Sequence, residues 1–169
     1  LDRKENILRI LQATNKPTTG NDLAKLLGVS RQVIVQDVAI LRAQGIDILA
    51  TPQGYLLMKQ KLEPPKRTIL AVKHQFEQTQ DELYVLVDNK LKVIDVVVEH
   101  PIYGELRGYL MLESRADVNQ FINNIKAGGA SLLSSLTGGV HLHTVEYNNA
   151  KDLIRAQDRL AELNLLAQD

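Results

Sequence analysis

The chain has 169 residues, 44% apolar and 24% charged, enough for one ordinary domain or two small ones. No apolar run approaches the roughly 18 residues of a membrane span. The absence of cysteine excludes disulfides and thiolate metal sites, so a metal is left to His, Asp or Glu. The formal net charge of zero hides an asymmetry. Residues 1–66 hold 10 Lys/Arg against 6 Asp/Glu, a net of +4, whereas residues 67–169 hold 10 against 14, a net of −4. A basic half beside an acidic half suggests two domains, the first a candidate for nucleic-acid binding. The lack of cysteine suits a reducing cytoplasm. The charged start (Asp2, Arg3, Lys4, Glu5) is unlike a secretory leader.

In chain order, Arg3–Thr14 predicts an amphipathic helix with Ile7, Ile10 and Leu11 on one face. Pro17-Thr18-Thr19-Gly20 breaks it, and Asn21–Leu27 is a short second helix carrying Leu23, Leu26 and Leu27. Gly28 suits a left-handed helix end, and Ser30 offers an N-cap oxygen to a third helix from Arg31 to about Gln44. Helix, glycine turn and capped helix form the helix-turn-helix pattern. Helical spacing gathers Val33, Ile34, Val38, Ile40 and Leu41 on the packed side. Arg31, Gln32, Val35 and Gln36 face away, at the end of the helix that reaches base edges. Arginine can take guanine and glutamine adenine, each through two hydrogen bonds, Val35 can meet a thymine methyl, and Ser30 can bind phosphate. Asp37 falls near the packed side, where a polar contact within the domain is its expected role.

Ile46–Ala50 and Tyr55–Met58 flank Thr51-Pro52-Gln53-Gly54 and predict a short hairpin, the wing of a winged helix-turn-helix. The run Leu23-Ala24-Lys25-Leu26-Leu27-Gly28-Val29-Ser30-Arg31-Gln32-Val33-Ile34-Val35-Gln36-Asp37-Val38, with Leu41-Arg42, Gly45 and Gly54-Tyr55, resembles the winged helix-turn-helix of the biotin-repressor type. That resemblance implies a double-stranded DNA operator, and paired half-sites make a homodimer the expected reader.

Lys59–Lys66, polar with tandem prolines, reads as a linker between a domain at 1–58 and one at 67–169. The second half then predicts a strand at Thr68–Lys73, a helix at Glu77–Asn89, strands at Leu91–Glu99 and Glu105–Leu112, a helix at Arg115–Ala127, a strand at Val140–Tyr147 and a helix at Ala150–Leu166. The order is β-α-β-β-α-β-α, an α+β sandwich with helices on one face of a mostly antiparallel sheet.

All four histidines fall here. His141 and His143 alternate along a strand and project from one face. A metal pair explains them, and so does a surface strand. His74 joins them if the first strand neighbours theirs, and Glu82, Glu77 or Asp81 can add an oxygen, a set that suits Zn, Ni or Fe. His100, Tyr103 and Arg107, around a His-Pro-x-Tyr-Gly turn, offer donors to an anionic ligand, with Arg107 as a carboxylate clamp; a capped turn with Tyr103 packed behind it is the alternative. Gly138-Gly139 would allow close approach of backbone to a ligand, or simply make a turn.

The helix-turn-helix followed by His74, Glu82, His-Pro-x-Tyr-Gly and Gly-Gly-Val-His-Leu-His resembles the three-histidine (3H) family of regulators over nearly the whole chain. The resemblance implies a domain like the phosphocarrier HPr, and a divalent metal held by the positions of His74, Glu82, His141 and His143. It further implies a niacin-responsive repressor of NAD biosynthesis or niacin uptake, with nicotinic acid as the small-molecule effector. The alternative is a metalloregulator in which the metal is itself the signal. An enzyme is not expected. The second half is too short for a biotin ligase and lacks its Gly-Arg-rich loop, and beside the metal set only Glu99 and Glu105 offer a general base.

Overall fold

The computed structural model describes residues 2–59 and 65–168. The chain divides into two compact units, Leu1–Leu62 and Glu63–Asp169. The expected linker falls mainly on residues 60–64, outside the described residues, and Lys66 already opens a strand.

The first unit holds α1 (Arg3–Gln12), α2 (Gly20–Leu27), α3 (Arg31–Ala43) and an antiparallel hairpin of β1 (Ile48–Thr51) and β2 (Gly54–Leu57). Its core joins Ile7 and Leu11 of α1, Leu23 and Ala24 of α2, Ile34, Val38 and Leu41 of α3, and Ile48 of the wing. Thr19 caps α2 by accepting from the Asp22 amide, and Gly28 closes that helix in the left-handed conformation. Leu26, counted with the apolar residues of α2, is 66% exposed. Gly54 is required by geometry. Its φ is +124°, and a Cβ there would lie 2.4 Å from the Thr18 carbonyl oxygen. That close approach lets Thr18 and Tyr55 exchange both backbone hydrogen bonds, at 2.9 and 2.8 Å, and so tie the wing to the α1–α2 loop.

The second unit follows the β-α-β-β-α-β-α order. It holds β3 (Lys66–Lys73), a 3-10 turn (Phe76–Gln78), α4 (Thr79–Asp88), β4 (Lys92–His100), β5 (Gly104–Leu112), α5 (Arg115–Gly128), a second 3-10 turn (Leu133–Thr137), β6 (Val140–Tyr147) and α6 (Ala150–Glu162). The four strands form one antiparallel sheet in the order β3-β6-β4-β5. The chain is therefore mixed α+β in both units. Leu70, Val93, Leu110, Leu112 and Val145 of the sheet pack against Leu83 and Leu86 of α4, Val118 and Ile122 of α5, and Ala156 and Leu160 of α6. Alternation along β3, with Leu70 and Val72 buried and Ile69 63% exposed, marks the covered and open faces. Helix α6 stops at Glu162, short of the expected Leu166. Asn164 turns left-handed at φ +55°, and the chain then runs beside β3, where Lys73 donates to the Leu165 carbonyl and Ala167 donates to that of Ala71.

Candidate metal centre and nucleic-acid interface

In the first unit the candidate DNA-reading residues occupy the first two turns of α3. Ser30 accepts from the Val33 amide at 3.3 Å and caps the helix. Arg31, Gln32 and Gln36 are exposed and Val35 is half-buried, while Ile34, Val38 and Leu41 anchor the opposite side. Ile40, expected on the packed side, is 38% exposed, because it lies about 120° around the helix from Ile34. Asp37 is buried and accepts from Arg3 Nη2 at 3.1 Å, a bond between α3 and α1 that keeps it from the reading face. The wing, Ile48–Leu57, carries no cation, so the charge available to phosphates lies on the helices and the chain around them.

In the second unit, register builds a buried cluster. Strand β3 pairs with β6 so that Leu70 faces His143 and Val72 faces His141, and both imidazoles emerge on the helix-covered side. His74 stands one residue past β3, beside His141, with ring centroids 4.8 Å apart. Glu82, on the first turn of α4, reaches the same point and is fully buried, and the three histidines are 3–5% exposed. Glu77 and Asp81, the alternative oxygen donors, are exposed and lie outside the cluster.

Each ring is oriented the same way. His74 Nδ1 meets the Gln75 carbonyl at 2.8 Å, His141 Nδ1 that of Gly139 at 2.9 Å, and His143 Nδ1 that of Asp95 at 2.7 Å. A carbonyl only accepts, so each Nδ1 carries the proton and each Nε2 turns to Glu82. His74 Nε2 contacts Glu82 Oε2 directly, His141 Nε2 is 3.5 Å from the same oxygen, and His143 Nε2 is 2.8 Å from Oε1. His143 Nε2 and Glu82 Oε1 approach without hydrogen-bonding geometry and are otherwise buried without a partner. Burial alone would push the Glu82 carboxyl up, but the three imidazoles, His143 first, hold it well below the usual carboxylate range. Burial pulls His74 and His143 down, and the Glu82 carboxylate more than reverses this and raises both. Three inward Nε2 atoms around a buried carboxylate are satisfied either by protons on the rings or by a cation at their centre. Three nitrogens and one oxygen, each ring held by a backbone carbonyl behind it, fit a divalent transition metal. His74, Glu82 and His141 meet the geometric requirement directly, with donor atoms within 4.8 Å of one another.

The outer residues escaped the sequence reading. Asp95 is buried in β4, accepts from the Thr144 amide at 2.9 Å and from Arg107 Nη1, and lends its carbonyl to His143. An aspartate inside Val93-Ile94-Asp95-Val96-Val97-Val98 was the available signal. Gly139 accepts from both the His74 amide and His141 Nδ1. A backbone carbonyl leaves no mark in a sequence.

His100 and Tyr103 meet at the β4–β5 turn, with ring centroids 5.0 Å apart, and Arg107 stands on β5. His100 Nδ1 accepts from the Ile102 and Tyr103 amides at 3.1 and 3.3 Å, which caps the β4–β5 turn. Tyr103 is 74% exposed, and Arg107 is engaged by Asp95. A cleft of about 490 Å³ lies instead between the β3–α4 connection, the end of α5 and the segment leading into β6. His74, Gly138 and Gly139 line it, and His100, Tyr103 and Arg107 do not.

A winged helix-turn-helix joined to a β-α-β-β-α-β-α domain with a buried His3Glu cluster is the architecture of a DNA-binding regulator. Residues 3–56 match the helix-turn-helix (HTH) domain model and residues 67–169 the 3H domain model, and the chain belongs to the 3H-domain family. It is 40% identical over 168 residues to the probable transcription repressor NiaR of Thermotoga maritima, across 99% of this chain and 95% of that protein. It is 39% identical over 170 residues to the transcription repressor NadR of Bacillus subtilis, across 99% of this chain and 94% of that one.

Proposed function

We propose that this chain is a DNA-binding transcription repressor, acting as a homodimer, whose 3H domain holds a divalent transition metal and senses nicotinic acid as co-repressor. Its targets would be genes of NAD biosynthesis or niacin uptake. The observation that carries this reading is the buried cluster of His74, Glu82, His141 and His143, with every Nδ1 held by a carbonyl and every Nε2 turned inward. Near end-to-end likeness to two proteins named as repressors supports the regulatory role. The identity of the effector rests on the likeness to niacin-responsive regulators.

In this reading Arg31, Gln32, Val35 and Gln36 read base edges in the major groove, and Ser30 with the α3 N-terminus meets phosphate. A metal held by His74, Glu82, His141 and His143 would supply a Lewis-acidic centre for a ligand carboxylate or ring nitrogen. The protein's own contribution is to hold three imidazoles rigid and keep bulk water from Glu82. Nicotinate shifts DNA affinity only by binding the operator-competent state more tightly. In a dimer, that state is the one whose two α3 helices match half-sites about 34 Å apart.

Electrophoretic shift of upstream DNA by metal-loaded protein, with and without nicotinate, tests this: the reading expects tighter binding with nicotinate and is contradicted by equal binding. In the second reading, the metal as signal, removing and restoring metal switches DNA affinity without nicotinate. Burial of all four ligand side chains favours a resident metal over a rapidly exchanging one.

A further inference from the structure

The cleft beside His74 has features that the fold does not need. Phe76 is 38% exposed on a 3-10 turn, outside the core of its unit. Ile125 and Leu132 add apolar wall from the end of α5 and the segment after it. Lys126 is the one cationic chain among the residues lining the cleft, and the lining holds neither arginine nor carboxylate. It has no ion-pair partner among the described residues. At about 490 Å³ the cleft falls in the size range of small-molecule sites.

We propose that this cleft is the effector subsite, and that it selects a small aromatic monocarboxylate, with Lys126 pairing the carboxylate and Phe76 flanking the ring. This rests on the proposed sensing of nicotinate and replaces the His100, Tyr103 and Arg107 assignment. One cation without a supporting arginine matches one negative charge. A nucleotide phosphate, carrying up to two charges and three oxygens, would call for more donors than the lining offers.

The cleft also reaches the metal cluster through the backbone. Gly139 is part of its wall, and the Gly139 carbonyl accepts from the His74 amide at 3.3 Å and from His141 Nδ1 at 2.9 Å. Gly139 has φ +96°, and a Cβ there would lie 2.3 Å from the His74 carbonyl oxygen, so this wall packs directly on the His74 backbone. An occupant therefore touches the glycine whose carbonyl orients the His141 imidazole and holds the His74 backbone.

Calorimetric titration of the metal-loaded full chain with nicotinate, nicotinamide and nicotinate mononucleotide tests the assignment. Nicotinate is expected to bind at least tenfold tighter than either analogue. Lys126→Gln, at an exposed position, is expected to lower nicotinate affinity about tenfold while nicotinamide affinity and metal content stay at wild-type values. Phe76→Ala is expected to weaken nicotinate and nicotinamide alike. Wild-type nicotinate affinity in Lys126→Gln, or tighter binding of the mononucleotide than of nicotinate, overturns the subsite. A metal-loaded wild type that binds no nicotinate at all overturns the proposed effector together with it.

Discussion

The two units place their candidate functional residues in opposite ways. In the first, Ser30, Arg31, Gln32, Val35 and Gln36 are contiguous on one helix and most are exposed. In the second, His74, Glu82, His141 and His143 span nearly seventy residues and are almost wholly buried. A surface reader needs only a rigid helix beneath it, supplied here by Ile34, Val38 and Leu41. A buried cluster needs the whole sheet register, because the β3–β6 pairing is what brings His74 to His141. Changes in the first should therefore alter binding with little effect on folding, and changes in the second should alter both.

The largest expected effect is in the buried cluster. His141→Ala with His143→Ala is expected to abolish stoichiometric metal in elemental analysis. It should also remove the stabilisation that a bound metal would lend its unit, about 4 kcal/mol where free metal is 1,000 times Kd. Thermal unfolding should lose its response to a chelator, and metal retained at one per chain would break the contrast.

A matched pair of glycine substitutions sharpens it. Gly54→Ala and Gly139→Ala each drive a methyl into backbone at 2.3–2.4 Å from positive φ, and each is expected to cost about 1–3 kcal/mol. Gly54→Ala should lower DNA affinity with metal content unchanged. Gly139→Ala should lower metal affinity roughly 10–100-fold, as loss of outer support does. Metal titration and DNA binding without nicotinate on both variants separate the two, and lowered metal affinity in Gly54→Ala would break the contrast.

Arg31→Ala is expected to weaken specific operator binding by about 1–3 kcal/mol if it reads a guanine, with unfolding temperature and metal content unchanged. Fluorescence anisotropy on specific and scrambled duplexes checks this, and equal loss on both would reassign Arg31 to phosphate. The smallest effect is expected from Ser30→Ala, about 1 kcal/mol of first-unit stability from the lost cap, read by denaturant unfolding.

Legibility followed the same division. Periodicity and caps carry local information, so α1 to α3, the wing and the element order of the second unit were all readable in sequence. Asp37 was legible as a structural contact because its helical angle set it against the core, although its partner Arg3 was not. His141 and His143 declared a shared face through their spacing, whereas the join to His74 depended on strand order, a non-local property. What stayed hidden was made of backbone. The carbonyls of Gln75, Gly139 and Asp95 that orient the rings have no side-chain signature, and neither does the cleft. The turn cap made by His100 was hidden too, because a turn-capping imidazole and a ligand-binding one look alike in sequence, and the amides of Ile102 and Tyr103 on its Nδ1 are visible only in the structure.

The most direct test of the account measures operator affinity of the metal-loaded protein across a nicotinate titration, in the wild type and in the His141→Ala, His143→Ala variant. The account predicts affinity that rises with nicotinate in the wild type and stays flat in the variant. A flat response in the wild type, or an equal rise in both, would contradict control of the exposed reader by the buried cluster.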